Sequence, residues 1–117
     1  MPWEMNSTEP IYTQIINRIQ MDIVSGVYSA GAKLPSVREM AAEAAVNPNT
    51  MQKAFAELER IGLVYTQRTN GRFITEDQEL ISKLRKQMAQ TEIDHFLKQM
   101  NHLGFDRAEV VSLLQEQ

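Results

Sequence analysis

Residues 34–74 carry two short helical patterns, a tight turn between them and a β-hairpin after them, and that succession leaves few folds open. Ser36 stands three residues before Glu39, the spacing at which a hydroxyl and a carboxylate cap a helix start reciprocally. The helix that follows should turn Val37, Met40, Ala41 and Ala44 inward. Asn47 is a good N-cap, and Pro48 at the first helical position forfeits nothing, since that N–H has no intrahelical partner. Met51, Ala54, Phe55, Leu58 and Ile61 then recur at three- and four-residue steps as one apolar face, and Gly62 ends the helix. The opposite face carries Asn49, Gln52, Lys53 and, farther along, Arg60. A buried stripe backed by amide and cationic groups on the first turns suits a DNA major groove, where a recognition helix meets base edges mainly with its N-terminal residues.

The chain around this stretch is small. Its 117 residues suffice for one domain and a short appendage, and 43% hydrophobic content supports a folded core. The net charge of −3 does not advertise nucleic-acid binding, but clustering on one face decides that question, not the total. With no cysteine, disulfides and thiolate zinc sites are excluded, which fits a reducing cytoplasm. No run approaches the ~20 apolar residues of a membrane span, and the N-terminus lacks the pattern of a signal peptide. A soluble cytoplasmic protein is expected.

Residues 1–8 read as a loose leader, although Trp3 and Met5 could pack on a partner. Pro10 opens the first helix, with Thr8 or Glu9 near its cap. Ile11, Ile15, Ile19 and Ile23 step by four, Tyr12 and Ile16 widen the stripe, and Gly26 closes it. Residues 27–33 form a short loop. Residues 63–66 read as a strand from their β-branched and aromatic content, residues 67–71 turn with Asn70-Gly71 supplying positive φ, and residues 72–75 return. A lone hairpin is marginal and must lean on the helices. The expected fold class is mainly α with a small β-hairpin: a winged helix-turn-helix over residues 1–76, then a helical segment over residues 77–117.

Three separated motifs carry a family likeness: Pro10-Ile11-Tyr12-x-Gln14-Ile15, the glycine- and Leu-Pro-Ser-containing stretch from Gly26 to Glu39, and Val46-Asn47-Pro48-Asn49-Thr50 with Glu57-Leu58 and Gly62-Leu63-Val64-Tyr65. In this order and spacing they resemble the GntR family of bacterial transcription regulators over residues 10–75. The Val-Asn-Pro-Asn-Thr sequence and the short C-terminus resemble its YtrA-type subfamily. The resemblance implies DNA contact by Arg38 at the start of the second helix, by Asn49, Thr50 and Gln52 on the third, and by the wing tip, Arg68, Thr69, Asn70 and Gly71. Lys53 adds charge for phosphates, and the capping residues Ser36 and Asn47 complete the candidate set. Independently of family, Arg38 suits phosphate or guanine, while the amides of Asn49 and Gln52 suit adenine. Many family members carry arginines where this chain has Pro48 and Gln52, so their operator preferences do not transfer. The subfamily resemblance also implies control of a transporter operon.

From Glu76 the pattern changes. Leu80, Ile81, Leu84 and Met88 form one apolar stripe, and Ile93, Phe96, Leu97 and Met100 continue it after a phase slip, as one long helix. Leu103-Gly104 ends it, and a second helix restarts at Asp106, which caps it with Glu109 completing the box, while Phe105 can staple against Val110. Val110, Leu113 and Leu114 are its apolar face. Two amphipathic helices in so short a segment cannot bury both faces alone, so they are expected to meet the same pair of a second subunit. The candidate dimerisation set is Leu80, Ile81, Leu84, Met88, Phe96, Leu97, Met100, Phe105, Val110, Leu113 and Leu114. A two-fold dimer would present two recognition helices to a near-palindromic operator.

Other functions fit less well. From Asp77 onward seven acidic residues outnumber five basic ones, which suits a dimerisation module better than a second DNA-binding one. Some larger GntR-type proteins hold a metal in their C-terminal domain, but His95 and His102 lack accompanying ligands at metal-site spacing and read as surface residues. No nucleophile–base cluster or phosphate-binding loop occurs, so neither catalysis nor a cofactor is expected. The tail has little room to enclose a small-molecule effector. The rival reading is a protein-interaction adaptor built on a winged helix without DNA; steep salt dependence of DNA binding discriminates against it.

Overall fold

The computed structural model describes residues 3–117, so the first two positions of the expected leader lie outside the described residues. Among the described residues the order is α1 (Ile11–Val24), α2 (Val37–Ala44), α3 (Pro48–Arg60), β1 (Val64–Gln67), β2 (Gly71–Ile74), α4 (Gln78–His102) and α5 (Arg107–Gln115). These divide into two compact units, Met1–Ser82 and Lys83–Gln117.

The core of the first unit follows the periodicities. Ile15, Ile19 and Ile23 of α1 are buried, as are Met40, Ala41 and Ala44 of α2 and Met51, Ala54, Phe55 and Leu58 of α3. Burying each of the large side chains contributes about 1.5–3 kcal/mol, the main term holding the three helices together. The expected ends of these stripes are less enclosed: Val37 and Ile61 are half-buried, and Ile11 is 37% exposed. Both helix starts of the central pair form as the sequence predicts. The Ser36 hydroxyl accepts from the Glu39 N–H at 3.1 Å while the Ser36 N–H donates to the Glu39 carboxylate at 3.2 Å. The Asn47 side chain accepts from the Asn49 N–H at 2.7 Å. Between them Ala45 adopts the left-handed conformation (φ 60°, ψ 45°), which lets α2 end and the chain turn within three residues.

The leader is not loose. Trp3 is 8% exposed, buried within its own unit, and the Arg18 guanidinium lies 4.7 Å from its ring centroid. The Gln14 amide clamps the segment: its oxygen accepts from the Asn6 N–H at 2.9 Å and its nitrogen donates to the carbonyls of Asn6 and Glu9. Nor do Thr8 or Glu9 cap α1, whose N-cap is Pro10 without a side-chain bond. Thr8 is engaged instead with Asn6, to which both its N–H and its hydroxyl donate.

The wing pairs β1 with β2 antiparallel, Val64 opposite Ile74 through Gln67 opposite Gly71. Gly71 (φ 101°) supplies the positive φ that closes it; Asn70 does not share that conformation, and its N–H instead bonds the Gln67 carbonyl at 3.1 Å. A third backbone segment joins the sheet where only a loop is expected. Lys33 bridges Phe73, the Leu34 N–H donates to the Arg72 carbonyl at 2.9 Å, and the Ile74 N–H donates to the Ala32 carbonyl at 2.8 Å. This third segment satisfies the outer edge of β2, which is how so short a hairpin holds.

In the second unit and the helix leading into it, α4 runs unbroken for 25 residues, and among its described residues none is buried. The capping box of α5 forms as expected, Asp106 accepting from the Glu109 N–H at 2.8 Å. Val110 is the buried residue of α5, whereas Phe96, Leu103, Val111 and Leu114 stand 40–71% exposed.

Candidate nucleic-acid interface

Side-chain caps and the left-handed Ala45 fix the direction of α3, so its outward face is determined by the sequence around the turn. Asn49, Gln52 and Lys53 are exposed there, spaced to share one face, while Thr50 is half-buried. Arg38 is exposed on the first turn of α2. Arg68, Thr69, Asn70 and Gly71 form the exposed tip of the wing.

The fold draws some of these residues together. Ser36 and Glu39 at the start of α2 share a cleft of about 360 Å3 with Thr69, Asn70, Gly71 and Arg72 of the wing. Ser36 serves as a cap, its hydroxyl oxygen accepting from the Glu39 N–H. Asn47 likewise spends its side-chain oxygen on the α3 cap and leaves its NH2 group. In the same cleft the Ser36 backbone N–H, followed by its hydroxyl, holds the Glu39 carboxyl below the usual carboxylate range. Lys53 is not part of this cleft. It reaches across to α1, where its ammonium sits 4.0 Å from the Tyr12 ring centroid.

The first unit contains seven basic residues, and their pairing separates them. Arg18 pairs with Asp22, Arg60 with Glu57, and Arg72 with Glu59. Among the described residues no carboxylate pairs with the other four: Lys33, Arg38, Lys53 and Arg68. These unpaired cations lie just before α2, on α2, on α3 and at the wing tip, so the charge free for an anionic ligand comes from the helix-turn-helix and wing although the whole chain is acidic.

Arg72 illustrates the opposite case. Its Nε donates to Glu59 Oε1 at 2.7 Å, and the Thr66 hydroxyl donates to the same oxygen at 2.7 Å. Thr66 and Arg72 are register partners, so one carboxylate on α3 holds both strands of the wing. Partial burial pushes the Glu59 carboxyl up, but the bonds from Arg72 and Thr66 and the Arg72 charge outweigh it and hold it low. The guanidinium also lies 5.3 Å from the Phe55 ring centroid. Arg72 therefore ties the wing to α3.

Sequence reasoning missed Lys33 and Glu59. Lys33 lines the cleft, and its side chain lies where a Cβ on Gly71 would come within 3.2 Å of it. The leucine-proline signal after it drew attention to the helix start and away from the strand-like pairing that places this lysine beside the wing tip. Glu59 sits at an ordinary, half-buried helix position, and only the return of the hairpin gives it partners. Among the described residues no group of three His, Cys, Asp or Glu is arranged to hold a metal.

Comparison with known proteins converges on one family. The model for bacterial regulatory proteins of the gntR family matches residues 11–74. The HTH-type transcriptional regulator YhcF of Bacillus subtilis (strain 168), itself uncharacterized, is 41% identical over 108 residues, which cover 92% of this chain and 89% of that protein. The HTH-type transcriptional repressor YtrA of the same organism is 39% identical over 94 residues, 75% of this chain and 72% of its own length. A solved GntR family transcriptional regulator from Listeria monocytogenes matches with a TM-score of 0.87 at 38% identity, covering 97% of this chain and 99% of that one. The winged helix-turn-helix and the likeness to YtrA-type regulators are thus both found, and the relatives are transcriptional regulators, not enzymes.

Proposed function

Because this chain belongs to the gntR family and is a DNA-binding transcriptional regulator, we propose that it acts as a cytoplasmic homodimeric repressor that occludes its promoter by binding a near-palindromic operator. The observation that supports the DNA assignment is the division of the first unit's cations: among the described residues the four without carboxylate partners lie just before α2, on α2, on α3 and at the wing tip. In this reading Arg38 and the first turns of α3, through Asn49, Thr50 and Gln52, read base edges. Lys53, Lys33, Ser36, Asn47 and the wing tip (Arg68, Thr69, Asn70 and Gly71) meet phosphates and fix register. Residues 1–76 are the DNA-binding domain and residues 77–117 the dimerisation segment.

The exposed apolar side chains of α4 and α5 support dimerisation. A 25-residue helix without a buried position among those described has little reason to persist in water unless a second copy covers it. Leu80, Ile81, Leu84, Met88, Phe96, Leu97, Met100, Phe105, Leu113 and Leu114 remain in the proposed interface. Val110, 2% exposed in its own chain, serves as internal support for that face. Two-fold symmetry would set the two recognition helices ~34 Å or a multiple apart. The repressor role follows the name of the YtrA relative, and control of a transporter operon follows the YtrA-type likeness.

Chromatin-immunoprecipitation sequencing with deletion of the gene tests this reading. Peaks over a palindrome at promoters whose transcripts rise in the deletion strain are expected. Transcripts that fall there would replace repression with activation, and the absence of peaks would remove DNA from the account.

A further inference from the structure

The groove where α1 meets α3 is lined by Tyr12, Ile16, Lys53 and Glu57, among others, and holds a contact that the packing of the helices does not require. Lys53 is exposed, yet its ammonium is drawn to 4.0 Å from the centroid of the Tyr12 ring instead of extending into water. Glu57 lines the same groove but is taken up by Arg60, whose Nε donates to it at 2.9 Å. Lys53 therefore keeps its charge free of carboxylates while an aromatic face restricts where that charge can be. The Tyr12 oxygen stands about two ring radii from the same centroid. A phenol O–H and an ammonium are thus close enough for one tetrahedral anion to meet both. Lys53 also lies four residues after Asn49 and one after Gln52, on the outward side of α3.

Resting on the reading of α3 as the helix that enters the major groove, we propose that Tyr12 and Lys53 form a two-donor clamp for a single DNA backbone phosphate at the flank of that groove. Tyr12 has two parts in it. Its hydroxyl donates to the phosphate, and its ring holds the Lys53 ammonium in position, so that less side-chain freedom is lost when DNA arrives. A stacked pair that served packing alone would leave the sensitivity to every phosphate unchanged once either residue was changed conservatively.

The test uses the full chain and the duplex that it selects from a random pool, with each backbone phosphate replaced in turn by an uncharged methylphosphonate. Wild type, Tyr12→Phe, Tyr12→Leu and Lys53→Met are titrated by fluorescence anisotropy, after melting curves establish that each is folded. One position per half-site should weaken wild-type binding several-fold and have little effect on Lys53→Met. Tyr12→Phe, which keeps the ring, should weaken binding to unmodified DNA while leaving the salt dependence unchanged. Lys53→Met should lower the logarithmic salt slope by about one per half-site. In the Lys53→Met background Tyr12→Leu should cost no more than Tyr12→Phe, because the ring then has no ammonium to hold. Wild-type sensitivity at every phosphate in both Tyr12→Phe and Lys53→Met would overturn the clamp. Failure of the wild-type chain to select any duplex would instead overturn the DNA reading on which the clamp rests.

Discussion

Arg38 and Ala45 lie seven residues apart and serve opposite ends of the account, one the ligand and one the backbone. Arg38 is exposed and free of carboxylates among the described residues, so its replacement should leave the fold nearly intact. Arg38→Ala should weaken specific binding by roughly 1–3 kcal/mol, the usual loss for a base-reading arginine, with the melting temperature nearly unchanged. Unaltered affinity for the selected operator would remove Arg38 from the reading set. Ala45 pays for the tight turn with a φ of 60°, a conformation that costs an L-residue about 1 kcal/mol or somewhat more. Ala45→Gly should therefore stabilise the fold by about 0.5–1 kcal/mol, visible as a raised melting temperature, and a lowered one would show that the turn is unstrained. The caps at Ser36 and Asn47 were legible in the sequence because a cap needs only neighbours three residues away. The strain at Ala45 was not, because alanine there advertises continuation of the helix and only the crossing of α2 and α3 forces it left-handed.

The wing and the terminal helix depend on contacts of different range. Glu59 joins α3 to both strands of the wing, and its carboxyl is held below the ordinary range by Arg72 and Thr66 against the opposing effect of burial. A group depressed in this way stabilises the fold fully above its unfolded-state value, and that contribution is lost as pH falls through the lower folded value. The wing amides of Thr66 and Arg72 should accordingly exchange faster with solvent as pH drops below the ordinary carboxylate range, after correction for intrinsic exchange. Glu59→Gln should abolish that pH dependence and cost about 1 kcal/mol, since both partners are partly exposed. A pH profile identical in the variant would contradict the assignment. For α5, Asp106→Ala removes the capping box and should lower stability by about 1 kcal/mol on thermal unfolding. Helices α1 to α5 were legible from periodicity and punctuation. The third segment of the sheet, the burial of Trp3 and the Glu59 staple were not, because each is made by residues distant in sequence and of unremarkable local pattern.

At the scale of the whole molecule, charge and symmetry decide how the chain could meet DNA. A chain of net charge −3 binds a polyanion only if its free cations are gathered, and among the described residues of the first unit those without a carboxylate partner are Lys33, Arg38, Lys53 and Arg68. Dimerisation would double that set and make affinity depend on both copies. Removal of residues 83–117, the second compact unit, should leave a monomer in sedimentation with poor operator affinity; a truncated chain that still sediments as a dimer would place the interface elsewhere. The family and the helix-turn-helix were readable in advance because they rest on short motifs, whereas the operator sequence is not, since Pro48 and Gln52 depart from the arginines common at those positions. The most direct test of the central claim is a fluorescence-anisotropy titration against DNA from upstream of the chain's own gene, at two salt concentrations, with scrambled DNA as control. The account predicts tight binding that prefers the native fragment and weakens steeply with salt as neutralised phosphates regain counterions. Equal affinity for native and scrambled DNA, with little dependence on salt, would contradict it.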